Sequence, residues 1–290
     1  MNWKPDIFIY HSPCDDGFGA AWAVHQRWGD DVEYWPATYG KPAPDVTGKR
    51  VLIGDFSYKR DVLAEMAMTA KSIVIIDHHK TAKEDLQDIP PPCFGMDNLD
   101  IGIELKPPLW AEFDMNKSGA RLVWEFCHPG AEVPHLIRYI EDRDLWRFAY
   151  LETRAVSLWL RSYAYDFEGW TILADSLERN LEATVANAKS IERFYDQKLM
   201  EIVREARTEK INGIEVPVVN CSWAFASDAA HELLKANPEA PFAACYYDRG
   251  DGARSYSLRS EDHRADVSAI ARRYGGGGHR NAAGFEVPLP

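Results

Sequence analysis

The sequence predicts an α/β protein: a parallel-sheet N-terminal domain with helices on both faces, a long helical linker, and a smaller mixed α/β C-terminal domain. Three observations predict it. In the first half, short Ile/Val/Leu-rich runs alternate with helical patterns, which is the arrangement of a parallel sheet. Residues 168–209 are rich in Ala, Glu, Lys and Arg with little Gly or Pro, as long helices are. Beyond residue 210, strand-like runs flank two turn signals. The expected boundaries are 1–170, 171–209 and 210–290. A chain of 290 residues, 46% of them hydrophobic, is enough for one large or two ordinary domains, each with its own core.

Taken in order, residues 6–10 (DIFIY) form a buried strand. A polar turn leads to GFGAAWAVHQRW, whose Phe18, Ala21, Trp22, Val24 and Trp28 suit one helical face. VEYWPA is a candidate strand and RVLIGDF a clear one. Ser57 can cap a helix through YKRDVLAEMAMTA, and SIVIID is a further buried strand. Residues 80–108 are proline-rich and read as an irregular surface excursion. Helices follow at SGARLVWEFC and HLIRYIEDRDLW. Past the linker, KINGIEV carries an Asn-Gly turn, PVVNC a strand and SWAFASDAAHELLKAN a helix. FAACYYD and RSYSLRS pair around Arg-Gly-Asp-Gly, and ADVSAIARRYGGGG is a helix ending in glycine.

Thirty-three Lys+Arg against 45 Asp+Glu give a net charge of -12, which disfavours a protein that grips long duplex nucleic acid. Short anionic ligands remain compatible. Residues 236–290 hold seven arginines, no lysine and seven acids, so the excess negative charge lies elsewhere. No stretch approaches the roughly 20 apolar residues of a membrane span, and the start has no signal-peptide pattern. The expectation is a soluble, cytoplasmic chain with no membrane partner; a homodimer is compatible with it. The five cysteines lie far apart without a CxxC pair, so neither a disulfide framework nor a thiolate zinc site is indicated.

The informative residues stand at the carboxyl ends of the strands. His11, with Asp15 and Asp16 after it, follows the first; Asp55 follows VLIG; Asp77, His78 and His79 follow SIVII. In an open parallel sheet these loops converge on one crevice. So many anions cannot share a small site without a compensating cation, because repulsion and desolvation would force protonation or unfolding. A divalent metal is the natural compensation. Each Asp alone could be a helix cap or turn residue; their joint occurrence on successive strands is what points to a metal site.

These strings, YHSPCDDGFGAAWA, GDFS, Asp77-His78-His79 and the late GGGGHRNAAGF, resemble the DHH/DHHA1 phosphoesterases in order and over nearly the whole chain. The resemblance implies a DHH catalytic domain followed by a DHHA1 substrate-binding domain. It implies two Mn²⁺ ions, with Mg²⁺ as an alternative. One would be held by His11, a motif-one aspartate and Asp55. The other would be held by Asp16, bridging Asp55, His78 and an aspartate in YIEDRDLWR, for which Asp142 is the first choice and Asp144 the reserve. The usual opening spaces its acids as H-x-x-x-D-x-D. Here Asp15 and Asp16 follow His11 at +4 and +5, so either the loop is a residue shorter or Cys14 occupies the first acidic slot.

The implied reaction is phosphate-ester hydrolysis through Asp16, Asp55, His78 and His79, with two ions about 4 Å apart activating a shared water. His79 serves as a phosphate contact or an orienting group, and Asp77 fixes the loop or an imidazole. His79, Arg259, Gly277, Gly278 and His279 are the expected substrate-phosphate contacts, the last four facing the metals across an interdomain cleft. The substrates expected are small nucleotides, namely short oligonucleotides or dinucleotides. Polyphosphate or pyrophosphate hydrolysis is the alternative reaction, and a non-catalytic scaffold with a degenerate site is the alternative of another class.

Overall fold

A computed structural model describes residues 3–92 and 108–289. Residues 93–107 of the expected excursion, and Cys93 with them, lie outside the described residues. The chain divides into two compact units, Met1–Glu192 and Arg193–Pro290.

The N-terminal unit runs β1 (Ile7–His11), α1 (Asp15–Trp28), β2 (Glu33–Ala37), β3 (Arg50–Gly54), α2 (Arg60–Thr69), β4 (Ser72–Asp77), α3 (Lys80–Asp85), β5 (Leu109–Phe113), α4 (Gly119–Cys127), α5 (His135–Asp144), α6 (Thr153–Leu160) and α7 (Phe167–Arg179). The long helix α8 (Leu181–Val203) begins in this unit. Five strands form an all-parallel sheet in the order β2-β1-β3-β4-β5. Strand alternation sorts the side chains to its two faces. Phe8, Tyr10, Leu52, Val74 and Ile76 enter one core with α1, α4, α5, α6 and α7. Ile7, Ile9, Val51, Ile53, Ile73 and Ile75 enter the other with α2. Both faces are buried, and this is why the strands read as continuous apolar runs.

Several elements depart from expectation: α6 was not foreseen, and α2 begins after Lys59, not with Ser57 as its cap. LWAEF forms the edge strand β5, whose five residues the proline-rich stretch before it concealed. Helix α3 lies inside the expected irregular excursion. The first part of the expected linker belongs to the N-terminal core: Trp170, Leu173, Ala174 and Leu177 of α7 and Val185 and Ala188 of α8 are buried in it.

The C-terminal unit contains the end of α8, β6 (Arg207–Ile211), β7 (Ile214–Asn220), α9 (Trp223–Ala236), β8 (Ala243–Asp248), β9 (Ala253–Arg259), α10 (Val267–Arg272), β10 (Gly277–Gly278) and β11 (Ala282–Pro288). Its mixed sheet has the order β10-β11-β9-β8-β7-β6. The Asn-Gly signal is a tight hairpin turn with Asn212 at φ 54 and Gly213 at φ 79. The glycine run does more than end a helix: Gly277 and Gly278 pair with Gly284 and Ala283 as a short antiparallel ladder. Among the described residues no helix is long and apolar enough to cross a membrane.

Trp170 is fully buried, its ring edge-on to Phe18 at 4.8 Å between centroids. Trp170→Ala is expected to lower unfolding stability by about 3–5 kcal/mol in urea denaturation.

Candidate metal centre

The β1–α1, β3–α2 and β4–α3 connections all leave the sheet at its carboxyl edge, and they bring His11, Asp16, Asp55, Asp77, His78 and His79 together. Asp16, Asp55, Asp77 and His78 are each no more than 1% exposed. Asp55 Oδ1 lies 3.1 Å from His78 Nε2, and Asp55 Oδ2 lies 3.8 Å from His11 Nδ1. Asp55 therefore turns one carboxylate oxygen toward each of two ligand groups. Two such groups are His11, Cys14 and Asp55, and Asp16, His78 and Asp144; Asp55, Asp77, His78 and His79 form another, and in each the potential ligand atoms lie within 4.8 Å of one another.

Local backbone requirements explain the sequence here. Asp55 sits at φ 52, a left-handed conformation that costs a non-glycine residue on the order of 1 kcal/mol. Its backbone N–H donates to Ile76 O at 3.1 Å, which ties β3's exit to β4. Gly119 packs against it so closely that a Cβ there would stand 2.4 Å from Asp55 Cβ. The same glycine and Ala120 donate their N–H groups to Asp16 at 2.6 and 2.9 Å. Asp16 thus lies in the first turn of α1 and at the N-terminus of α4, where two helix dipoles favour a carboxylate.

Asp77 is tied by its hydrogen bonds both to the loop and to an imidazole. Asp77 Oδ1 accepts from the His78 backbone N–H at 2.8 Å and lies 2.7 Å from His79 Nδ1. Burial pushes the Asp77 carboxyl up, but the His79 and His78 charges and its hydrogen bonds outweigh this and hold it below the usual range. Burial disfavours the charged form of His79, yet Asp77 raises it overall.

The remaining groups reveal a site short of positive charge. Burial and the charge of Asp16 push Asp55 well above the usual carboxylate range. Burial works against the His78 imidazolium, but its hydrogen bond to Asp55 and the charges of Asp144 and Asp16 raise its pKa well above the ordinary value. Asp144, its side chain 29% exposed, is pushed up to about 6 by the protein around its carboxylate and by the charge of Asp16. Each of these shifts moves the cluster toward a less negative state, which is the service a bound cation would perform. His11, pushed down to about 4 by burial and by the charge of His79, offers a neutral imidazole. Asp55 Oδ2 is buried and has no hydrogen-bond partner among the described residues. Together these features fit a divalent cation.

Two expected ligands stand elsewhere. Asp142 is directed away from the cluster: its carboxylate accepts from Ala149 N at 2.9 Å, Tyr150 N at 3.2 Å and the Thr153 hydroxyl, holding the loop after α5. Asp144, the last residue of α5, reaches the site instead, with Oδ2 3.6 Å from His78 Nε2. Asp15 also turns away, toward Tyr165 Oη at 2.8 Å and Arg161 Nε. Cys14, not Asp15, lies beside His11 and Asp55.

One further feature was not foreseen as part of the site. Tyr39, 50% exposed, places its ring 5.5 Å from that of His11 and 4.8 Å from Phe56. An aromatic residue just past the end of β2 carries no distinguishing mark among thirteen tyrosines. In the C-terminal unit, the register of β9, β11 and β10 gathers Arg259, Gly277, Gly278 and His279 at one end of the sheet. Arg259 donates to Ser227 Oγ at 2.5 Å and to its neighbour Leu258 O at 2.8 Å. His279 N donates to Ala282 O at 2.8 Å, closing the turn between β10 and β11.

No family model matches the chain. It is 30% identical over 302 residues to "Uncharacterized protein R106" of Acanthamoeba polyphaga mimivirus, an alignment covering 97% of this chain and 67% of that protein. It is 34% identical over 99 residues to the oligoribonuclease NrnB of Bacillus subtilis (strain 168), covering 34% of this chain and 23% of NrnB. Among solved structures, an exopolyphosphatase-related protein from Bacteroides fragilis matches with a TM-score of 0.49 at 14% identity, over 98% of this chain and 88% of that one.

Asp142 and Asp144 can be separated by experiment. Asp144→Asn is expected to lose bound divalent cation in elemental analysis, with metal-free stability within about 0.5 kcal/mol of the parent. Asp142→Ala, which strands two backbone N–H groups and a hydroxyl, is expected to cost about 3 kcal/mol in thermal or urea unfolding of the metal-free protein.

Proposed function

The chain belongs to the DHH/DHHA1 phosphoesterases, a family of hydrolases, and we propose that it is a cytoplasmic, metal-dependent enzyme hydrolysing phosphate-ester bonds of small nucleotides such as short oligonucleotides or dinucleotides. The observation that carries the proposal is Asp55, a buried carboxylate with one oxygen toward His11 and the other toward His78. One cation would be held by His11 and Asp55, the other by Asp16, Asp55, His78 and Asp144. Mn²⁺ suits this imidazole and carboxylate set, with Mg²⁺ as the alternative. Such a cation pair, when bound, acidifies a water and offsets charge on the phosphoryl oxygens of an in-line displacement.

The chain's own groups do the rest. Asp77 anchors the His78 backbone and the His79 ring together, so the two imidazoles keep a fixed relation. His79, its protonated form favoured by Asp77, supplies positive charge and a proton donor to a phosphate oxygen. Tyr39 offers an exposed ring beside His11 on which a nucleobase can stack. Arg259 and His279, with the Gly277 and Gly278 backbone, are proposed as the phosphate contacts of the C-terminal unit.

Two observations support small nucleotides over other substrates. The net charge of -12 opposes a long polyanion, which would need many compensating contacts. An aromatic ring at the rim suits a base and is of no use to polyphosphate. NrnB's designation as an oligoribonuclease agrees with this over the matched segment. A degenerate scaffold fits poorly, since His11, Asp16, Asp55, His78 and Asp144 are all in place.

The test is product analysis, with Mn²⁺ and with chelator, on a 5′-phosphorylated dinucleotide, a five-nucleotide RNA, 3′-phosphoadenosine 5′-phosphate and linear polyphosphate. Mn²⁺-dependent release of nucleoside monophosphate is expected, abolished in Asp55→Ala; turnover of polyphosphate alone would overturn the nucleotide assignment. Tyr39→Ala is expected to raise KM for the dinucleotide by about 5- to 150-fold, corresponding to about 1–3 kcal/mol of stacking, with kcat little changed.

A further inference from the structure

The two ligand groups on either side of Asp55 differ in chemistry. Asp16, His78 and Asp144 offer two carboxylates and an imidazole. His11, Cys14 and Asp55 offer an imidazole, a sulfur and a carboxylate. Cys14 stands between the end of β1 and the start of α1, where its φ of -157° and ψ of 139° precede the first helical residue. The acid next to it cannot take its place: Asp15 is engaged by Tyr165 and Arg161. The neighbouring Asp55 Oδ2 is buried and lacks a hydrogen-bond partner among the described residues. A carboxylate oxygen so placed is costly unless something joins it. The atoms grouped with it are one nitrogen and one sulfur, and neither supplies a hydrogen bond to it.

We propose that Cys14 Sγ is a ligand of the cation bound by His11 and Asp55, and that it makes this half of the centre selective for thiophilic ions of the Zn²⁺ and Co²⁺ kind, while the Asp16–His78–Asp144 half takes an oxygen-preferring ion such as Mn²⁺ or Mg²⁺. The inference rests on the metal-centre reading above and deepens it. Thiolate sulfur favours borderline and soft cations, whereas carboxylate sets suit Mg²⁺ and Mn²⁺. The sulfur–metal bond forms as the Cys14 S–H proton passes to solvent. A centre of this kind holds two different ions bridged by one aspartate, and its composition depends on which cations are supplied.

The experiment uses the full chain, stripped with chelator and titrated with Co²⁺. A thiolate-to-Co²⁺ charge-transfer band in the near ultraviolet is expected, absent in Cys14→Ser and retained in Cys127→Ser. In competition, the parent is expected to favour Zn²⁺ over Mn²⁺ by at least about tenfold more than Cys14→Asp does, as replacing sulfur by oxygen predicts. Circular dichroism monitors folding; should Cys14→Ser fail to fold, Cys14→Asp alone decides, by binding Co²⁺ without the band. Cobalt bound with no band dependent on Cys14, or an unchanged Zn²⁺/Mn²⁺ ratio in Cys14→Asp, overturns the proposal and leaves the phosphoesterase reading standing. Failure of the parent to bind any divalent cation overturns both.

Discussion

The dominant constraint on this molecule is the repulsion among carboxylates held at the carboxyl edge of a parallel sheet. Asp16, Asp55 and Asp77 are buried there and Asp144 reaches them from α5. Left alone, such a set would protonate or open the fold. The structure meets the problem in three ways. Helix N-termini are aimed at Asp16, imidazoles are interleaved with the acids, and two ligand groups are arranged about a shared carboxylate where cations can enter.

Much of the surrounding backbone follows from that constraint. Gly119 allows α4 to approach Asp55, and Gly17 allows α1 to approach β1, where a Cβ would meet His11 O at 2.0 Å. These close approaches place the positive ends of two helices against the buried acids. Asp55 accepts a left-handed backbone in the same cause. Asp77 and Asp142 are each drawn into hydrogen bonds as well. One orients His79 and the other shapes the loop after α5, so that the geometry of the site rests partly on acids that hold the residues around them.

The C-terminal unit solves a different problem. Its glycine run is a paired strand beside β11, pinned by Tyr274 stacked on Phe285 at 4.3 Å. Side chains near the turn are held as well: the Arg280 guanidinium donates to Asp262 O and Arg264 O, and Asn281 Nδ2 donates to Asp262 Oδ1 at 2.6 Å. A segment that composition alone would label a flexible connector is thus ordered around His279.

The sequence by itself determined the alternation that yields the parallel sheet and the strand ends that carry His11, Asp16, Asp55, Asp77, His78 and His79. These are local properties: a buried parallel strand is an unbroken apolar run, and the residue after it must enter the crevice. Tertiary structure alone decided which of two near neighbours enters. Asp142 and Asp144 are two residues apart on one helix, roughly 200° around its axis, so only the packing of α5 and the loop after it selects Asp144. Cys14 and Asp15 are adjacent, and Asp15 is drawn off by Arg161 and Tyr165, partners about 150 residues away that no local pattern records. A side chain's direction depends on what packs against it, and that is set by the whole fold.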